Sequence, residues 1–276
     1  MPAGSARVLV DGRAQAQVSP LDRGLLYGDG LFETIRFVDG AAPLWARHMQ
    51  RLQSGCTRLG LPIIEPSRLN EEALRSIEGM SNAVVRITLT RGQGERGYRP
   101  PSEPQPTRIV AASAPPPLRE HDYRDGIVAR LCDLRLATQP ALAGIKHLNR
   151  LEQVLARTEW NDQEISEGLL CDQDGDVICA TMANLFAVID GVLVTPPVDR
   201  CGVAGVARAE ILAARSVQVC RLPLDVLAQA DELFLSSSIR GILPLRAVGD
   251  RVFSIGPCTR ALQRHWRDLG FFRELA

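Results

Sequence analysis

One side chain stands apart by type. The 276 residues include 32 lysine and arginine side chains, of which 31 are arginine and one, Lys146, is lysine. A lysine amine can lose its proton and attack a carbonyl, whereas a guanidinium stays charged. A chain that uses arginine almost everywhere points to chemistry at position 146 that arginine cannot supply. The surrounding run, Ala143-Gly144-Ile145-Lys146-His147-Leu148-Asn149, does not read as a charged helix face, which separates Lys146 from a chance surface lysine.

Such a lysine suggests a Schiff base, either to a carbonyl substrate or to pyridoxal 5'-phosphate (PLP). The second choice demands a phosphate cradle, a partner for the ring nitrogen and a clamp for a substrate carboxylate. Gly202-Val203-Ala204-Gly205-Val206-Ala207-Arg208 opens a helix, and backbone N–H groups at a helix N-terminus bind anions. Ser236-Ser237-Ser238 ends a strand and can add hydroxyl donors, or can simply be a polar strand end. Arg51 lies on a helix off its apolar stripe, where an arginine by itself is most often a solvated surface charge.

The elements that must position these groups are legible from periodicity and turn residues. Arg7–Val10 reads as a strand turned by Asp11-Gly12, and Leu31–Val38 as another turned by Asp39-Gly40. From Trp45 the pattern is helical, with Trp45, Met49, Leu52, Cys56 and Leu59 on one stripe. A second helix is expected over 67–78, and β-rich runs over 83–90 and 107–112 read as strands. Pro115-Pro116-Pro117 excludes helix and central strand. The boundary is therefore placed there: a smaller N-terminal α/β domain over 1–112, a Pro-rich linker over 113–120, and a larger C-terminal cofactor-binding domain over 121–276. That second part reads as a strand over 126–136, a loop carrying Lys146 and a helix over 150–160. Hairpins follow over 168–180 and 184–195, then a helix over 205–217, a strand over 232–236 and a final helix from Pro257. Mixed strands and helices in two lobes indicate an α+β or α/β protein, with a crevice between lobes as an expected cofactor place.

Composition sets the class. The chain carries 32 acidic residues against its 32 basic ones, is 45% hydrophobic, and has zero formal net charge. A nucleic-acid or anionic-membrane binder would show a basic excess, so neither partner is expected. No apolar run reaches the length of a membrane span, and Met1-Pro2-Ala3-Gly4-Ser5 does not read as a signal peptide. Seven scattered cysteines, never spaced CxxC, favour reduced thiols in a cytoplasmic protein over disulfides or a metal site.

Several of these residues together match a known pattern. Asn184-Leu185-Phe186, Leu193-Val194-Thr195 and Val203-Ala204-Gly205-Val206-Ala207-Arg208 resemble the spaced signature of the class IV aminotransferases, the fold-type IV PLP enzymes. Two further segments, Leu142–Gln153 and Arg91–Tyr98, resemble the aminodeoxychorismate lyase branch of that family, and Tyr27–Gly30 and His48–Leu52 also fit. The resemblance spans nearly the whole chain. It implies a two-domain fold like that of D-amino-acid aminotransferase, a homodimer, PLP as cofactor and a small-molecule substrate. It further implies that Lys146 carries PLP and then moves protons, and that Arg51 pairs with the phosphate. Val206 and Ala207 would donate backbone N–H groups to that phosphate, and Ser238 a hydroxyl. Arg96 would help hold a substrate carboxylate.

One departure from the signature bears on chemistry. The family pattern begins with a glutamate five residues before the asparagine, and here that residue is Cys179. The glutamate keeps the ring nitrogen protonated, and a neutral thiol cannot supply that ion pair. A weaker electron sink suits elimination, in which the departure of pyruvate makes a benzene ring, better than transamination. The expected activity is conversion of 4-amino-4-deoxychorismate to 4-aminobenzoate and pyruvate, a step of folate biosynthesis. The alternatives are a branched-chain or D-amino-acid aminotransferase, or a lapsed PLP-binding homologue.

Overall fold

The computed structural model describes residues 7–14 and 17–272, so the opening Met1–Ser5 lies outside the described residues. Two compact units result. The first runs through Pro116 and takes in Ile145–Asn149; the second comprises Pro117–Gly144 and the chain from Arg150 onward.

The first unit contains, in chain order, β1 (Arg7–Val10), β2 (Arg13–Ala14), α1 (Arg23–Tyr27), β3 (Gly30–Val38), α2 (Trp45–Leu59), α3 (Pro66–Ser76), β4 (Asn82–Thr90) and β5 (Arg108–Ser113). Its five-stranded sheet has the order β2-β1-β5-β4-β3 and is antiparallel throughout. The expected Asp-Gly turns form as both residues enter positive φ: 50° and 76° at Asp11-Gly12, 49° and 76° at Asp39-Gly40. Strand alternation sends Leu31, Ile35 and Phe37 of β3 into one core, where α2 lays down Met49, Leu52 and Cys56. Each such fully buried side chain contributes about 1.5–3 kcal/mol. The alternation also puts Glu33 on that core-facing side, a carboxylate among hydrocarbons.

The second unit contains α4 (Glu120–Arg124), β6 (Ile127–Leu136), α5 (Leu151–Arg157), β7 (Ile165–Asp172), β8 (Val177–Ala180), β9 (Asn184–Ile189), β10 (Val192–Thr195), α6 (Val206–Ala214), β11 (Gln218–Val219), α7 (Leu224–Leu227), β12 (Glu232–Ser237), β13 (Gly241–Val248), β14 (Arg251–Val252) and α8 (Pro257–Asp268). Its sheet runs β11-β10-β9-β12-β13-β6-β7-β8, and β8 pairs again with β9. The second pairing closes a barrel-like ring whose interior holds Leu169, Leu185, Leu233, Leu235, Leu243 and Leu245. The ring closes at a single register pair, Cys179 opposite Asn184.

The structure adds to the sequence reading at three places. The helix expected to reach Trp160 stops at Arg157, because the Trp160 ring packs against Gly168 and its Nε1 donates to the Ile165 carbonyl at 3.0 Å. Strand β13 is invisible to pattern reading because Pro244 interrupts it. The structure tolerates that proline because the parallel pairing with β6 begins only at Leu245. The short helix α4 begins at Glu120, the last residue of the expected linker. Among the described residues no helix is long and apolar enough to cross a membrane, and no cysteine is in a disulfide.

Candidate active site

The structure places Lys146 in the first unit, on an added edge of its sheet. Phe32 N–H donates to the Lys146 carbonyl at 3.0 Å, Leu148 N–H donates to the Gly30 carbonyl at 3.0 Å, and His147 bridges Leu31. Opposed residues of antiparallel neighbours share a face, so Lys146 lies over Phe32, with Nζ 4.3 Å from the ring centroid. Ile145 anchors the segment by entering the core beneath α2. The lysine is thereby held by sheet geometry rather than by a flexible loop.

On the other face of β3, Glu33 gathers Arg51 and His48 from α2. Arg51 Nε donates to Glu33 Oε1 at 2.8 Å and its Nη2 donates to Oε2, a bidentate pair. His48 Nδ1 lies 2.6 Å from Oε2, and an ionised carboxylate only accepts, so this nitrogen is the donor. Burial pushes the Glu33 carboxyl up, but the Arg51 charge and the hydrogen bonds from both partners outweigh it and hold the group at about 2. Burial also pushes the His48 pKa down, against the pull of Glu33 and helped by the Arg51 and Lys146 charges, so the ring stays neutral. Arg51 is mostly buried, unlike the solvated charge that its place on the helix suggests in isolation.

The second unit contributes a buried helix start. Helix α6 begins at Gly205 with no side-chain cap, and its first residues Val206 and Ala207 are buried. A buried helix start without a cap leaves backbone N–H groups that call for an acceptor. Asn184 Nδ2 donates to the Val203 carbonyl at 2.9 Å, and its Oδ1 sits so close to Gly205 that a Cβ there would overlap it. Ser236 is the register partner of Asn184, and its Oγ is buried with no hydrogen-bond partner. An orphaned hydroxyl and an uncapped helix start on one side of the sheet fit a phosphate. Ser238 lies in the turn just past β12, half-buried.

Cys179 is buried on β8 within an apolar cluster that includes Leu170, Ile178 and Cys201. Burial pushes its thiol up to about 12, with a small opposing pull from Arg150, so the group is neutral. As the register partner of Asn184 it lies in the same cross-strand row as Asn184 and Ser236. Arg96 sits in the first unit, exposed in the irregular segment between β4 and β5.

Sequence reading singled out neither Glu33 nor Arg23 and Asp29, which carry charge networks in the first unit. The signal for Glu33 was present: it is the one acid in Leu31–Val38, at the alternation position of Ile35 and Phe37. A carboxylate on a core-facing strand position calls for a cation unless it takes up a proton.

The family described as amino-transferase class IV matches residues 30–248. An aminodeoxychorismate lyase from Vibrio harveyi is 34% identical over 263 residues, covering 92% of this chain and 97% of the relative. A putative branched-chain-amino-acid aminotransferase from Methanocaldococcus jannaschii is 33% identical, covering 92% and 91%. The crystal structure of a 4-amino-4-deoxychorismate lyase from Pseudomonas aeruginosa superposes with a TM-score of 0.91 at 45% identity, covering 95% of this chain and 98% of that one. With residues 30–248 matched and most of its length shared with these relatives, the chain belongs to the class IV aminotransferase family, with the two-domain fold of the fold-type IV PLP enzymes.

Proposed function

We propose that the protein is a PLP-dependent lyase that converts 4-amino-4-deoxychorismate to 4-aminobenzoate and pyruvate. The observation that carries the reading is the placement of the chain's single lysine: a sheet-edge position over Phe32, on a chain 45% identical to a solved lyase over nearly its full length. In this reading Lys146 carries the cofactor. Arg51, the Val206 and Ala207 N–H groups and the Ser238 hydroxyl hold its phosphate, Cys179 faces its ring nitrogen, and Arg96 holds a substrate carboxylate.

When bound, PLP supplies a conjugated ring that draws electrons from the substrate carbon attached to nitrogen. With PLP bound, Lys146 Nζ would take the proton from that carbon. The electrons move into the ring system of the substrate and expel the enolpyruvyl group, which leaves as pyruvate after protonation. The product ring is aromatic, so a neutral thiol in place of a carboxylate at position 179 suffices. The same reading carries a homodimer and a cytoplasmic location, supported by the family resemblance and by seven unpaired thiols.

Borohydride reduction followed by peptide mapping tests the lysine, and release of 4-aminobenzoate from aminodeoxychorismate tests the reaction. A pyridoxyl adduct at Lys146 with product release is the expected result. An adduct without product release, accompanied by rapid exchange of an amino acid with 2-oxoglutarate, would instead assign an aminotransferase, the activity named for the archaeal relative.

A further inference from the structure

The segment Gln93–Arg99 has no regular structure, and nearly all of its side chains are exposed, Tyr98 at 84%. It contributes nothing to the hydrophobic core. Yet its backbone is gripped by one of the most buried arginines of the first unit. Arg23 is 4% exposed and donates from Nη1 to the Gly97 carbonyl at 3.0 Å and from Nη2 to the Tyr98 carbonyl at 2.9 Å. Its Nη1 also reaches the Arg99 carbonyl at 3.4 Å. Behind it, Nε donates to Asp29 Oδ2 at 2.9 Å, an oxygen shared with Arg91 Nε at 2.8 Å. Arg91 in turn is fixed by the Leu59 and Gly60 carbonyls that end α2. Burial pushes the Asp29 carboxyl up, but the two arginines outweigh it and keep it ionised. The Tyr27 ring lies 5.0 Å from the Arg23 guanidinium and 5.4 Å from the Tyr98 ring.

A buried guanidinium that spends its fork on successive carbonyls of an exposed loop fixes what the loop presents, not what lies beneath it. Loops held by a rigid scaffold carry recognition, and fixing them beforehand lowers the ordering cost of binding. We propose that Arg23 is a positioning residue for substrate recognition: anchored on Asp29, it sets the 97–99 backbone so that Arg96 and Tyr98 meet a substrate carboxylate in one arrangement. The proposal deepens the lyase reading and rests on its assignment of Arg96.

Arg23→Lys tests it, because lysine keeps a charge beside Asp29 but is a point donor without a fork. The Michaelis constant for aminodeoxychorismate should rise about tenfold, the scale of one charge-assisted hydrogen bond. The turnover number should stay within about twofold, the signature of lost ground-state binding. Arg96→Met should raise the Michaelis constant similarly, and the double variant should add little to either single change. Trypsin gives a readout independent of turnover. The Arg96–Gly97 bond should resist cleavage in the folded wild type and be cut in Arg23→Lys. A wild-type Michaelis constant in Arg23→Lys, or additive effects with Arg96→Met, overturns the proposal. If Arg23→Lys does not fold, rapid cutting at Arg96 in the intact wild type overturns it and resistance supports it. A wild type that folds and binds PLP but releases no 4-aminobenzoate sinks the lyase reading instead, while the trypsin comparison still decides whether Arg23 fixes the loop.

Discussion

The first unit answers buried charge with buried charge. Glu33 binds Arg51 and His48, Asp29 binds Arg23 and Arg91, and Glu72 binds Arg108. In the second unit, the groups around the start of α6 are neutral: an amide at Asn184, a thiol at Cys179, a hydroxyl at Ser236 and the backbone of α6. The difference teaches where each half is vulnerable. Ion pairs fail when a carboxylate gains a proton or loses its partner. A cradle of dipoles and close contacts fails when its shape changes, and is indifferent to mild acid.

The comparison breaks most sharply at Lys146. Lys146→Ala should lower product release by about 10³-fold or more, the scale of a lost proton-transfer group. It should also abolish the cofactor's covalent absorbance, while noncovalent PLP binding persists. Turnover near the wild-type rate would sink the scheme. Next is Glu33→Gln, which strands two buried bases. Removing one partner of a buried pair costs about 3–5 kcal/mol, to be read as a drop in unfolding free energy. The effect has a pH signature. Glu33 moves from 4.5 when unfolded to about 2 when folded, so its contribution is fully present above pH 4.5 and is lost as pH falls toward 2. His48, lowered from 6.5, adds a loss of the same sign beginning below pH 6.5. Cys179 has the opposite sense. Raised from 9.0 to about 12, its contribution is complete below pH 9 and is lost as pH climbs toward 12. Thermal melts against pH should therefore show Glu33→Gln flattening the acid limb, and Cys179→Ala the alkaline limb. Unchanged limbs would remove the contrast.

How much of this was legible follows the same division. The candidate groups of the second unit could be named from the sequence because they are local: a strand pair, a glycine and a helix start at fixed gaps, whose backbone donors need no distant partner. In the first unit Lys146 stood out by type, but its charge network did not, because Glu33 and Arg51 are 18 residues apart and meet only when α2 lies on β3. The Arg23 grip on residues 97–99 spans more than 70 positions and is made to carbonyls, which no residue type announces. The strands and helices with clean periods were visible, as were the Asp-Gly turns. Strand β13 was masked by Pro244, and the short helices α1, α4 and α7 are too brief for a 3.6-residue pattern to register.

Smaller effects sharpen the neutral half. Gly205→Ala puts a Cβ onto Asn184 Oδ1, with α6 unable to retreat because its first turn is buried. Overpacking of this kind costs about 1–3 kcal/mol. Weaker PLP binding should accompany it, measured by fluorescence titration, with Lys146 still reducible by borohydride. Affinity equal to wild type would mean that the α6 start does not hold the phosphate.

Cys179→Glu restores the residue the family pattern carries and asks whether the thiol tunes the reaction. The carboxylate would enter an apolar cluster, where burial alone would keep it protonated. Arg150, within electrostatic reach of position 179, pulls the other way. If the ring nitrogen of bound PLP lies at this position, the two basic groups together favour the ionised acid, and the cofactor becomes a stronger electron sink. Exchange between an amino acid and 2-oxoglutarate should then rise about tenfold, as one pKa unit of differential interaction would give. Lyase turnover should change less, because aromatisation already drives that reaction forward. A variant that folds and binds PLP yet shows unchanged exchange would break the link between the neutral thiol and the choice of elimination, while leaving Lys146 in place as the reacting group.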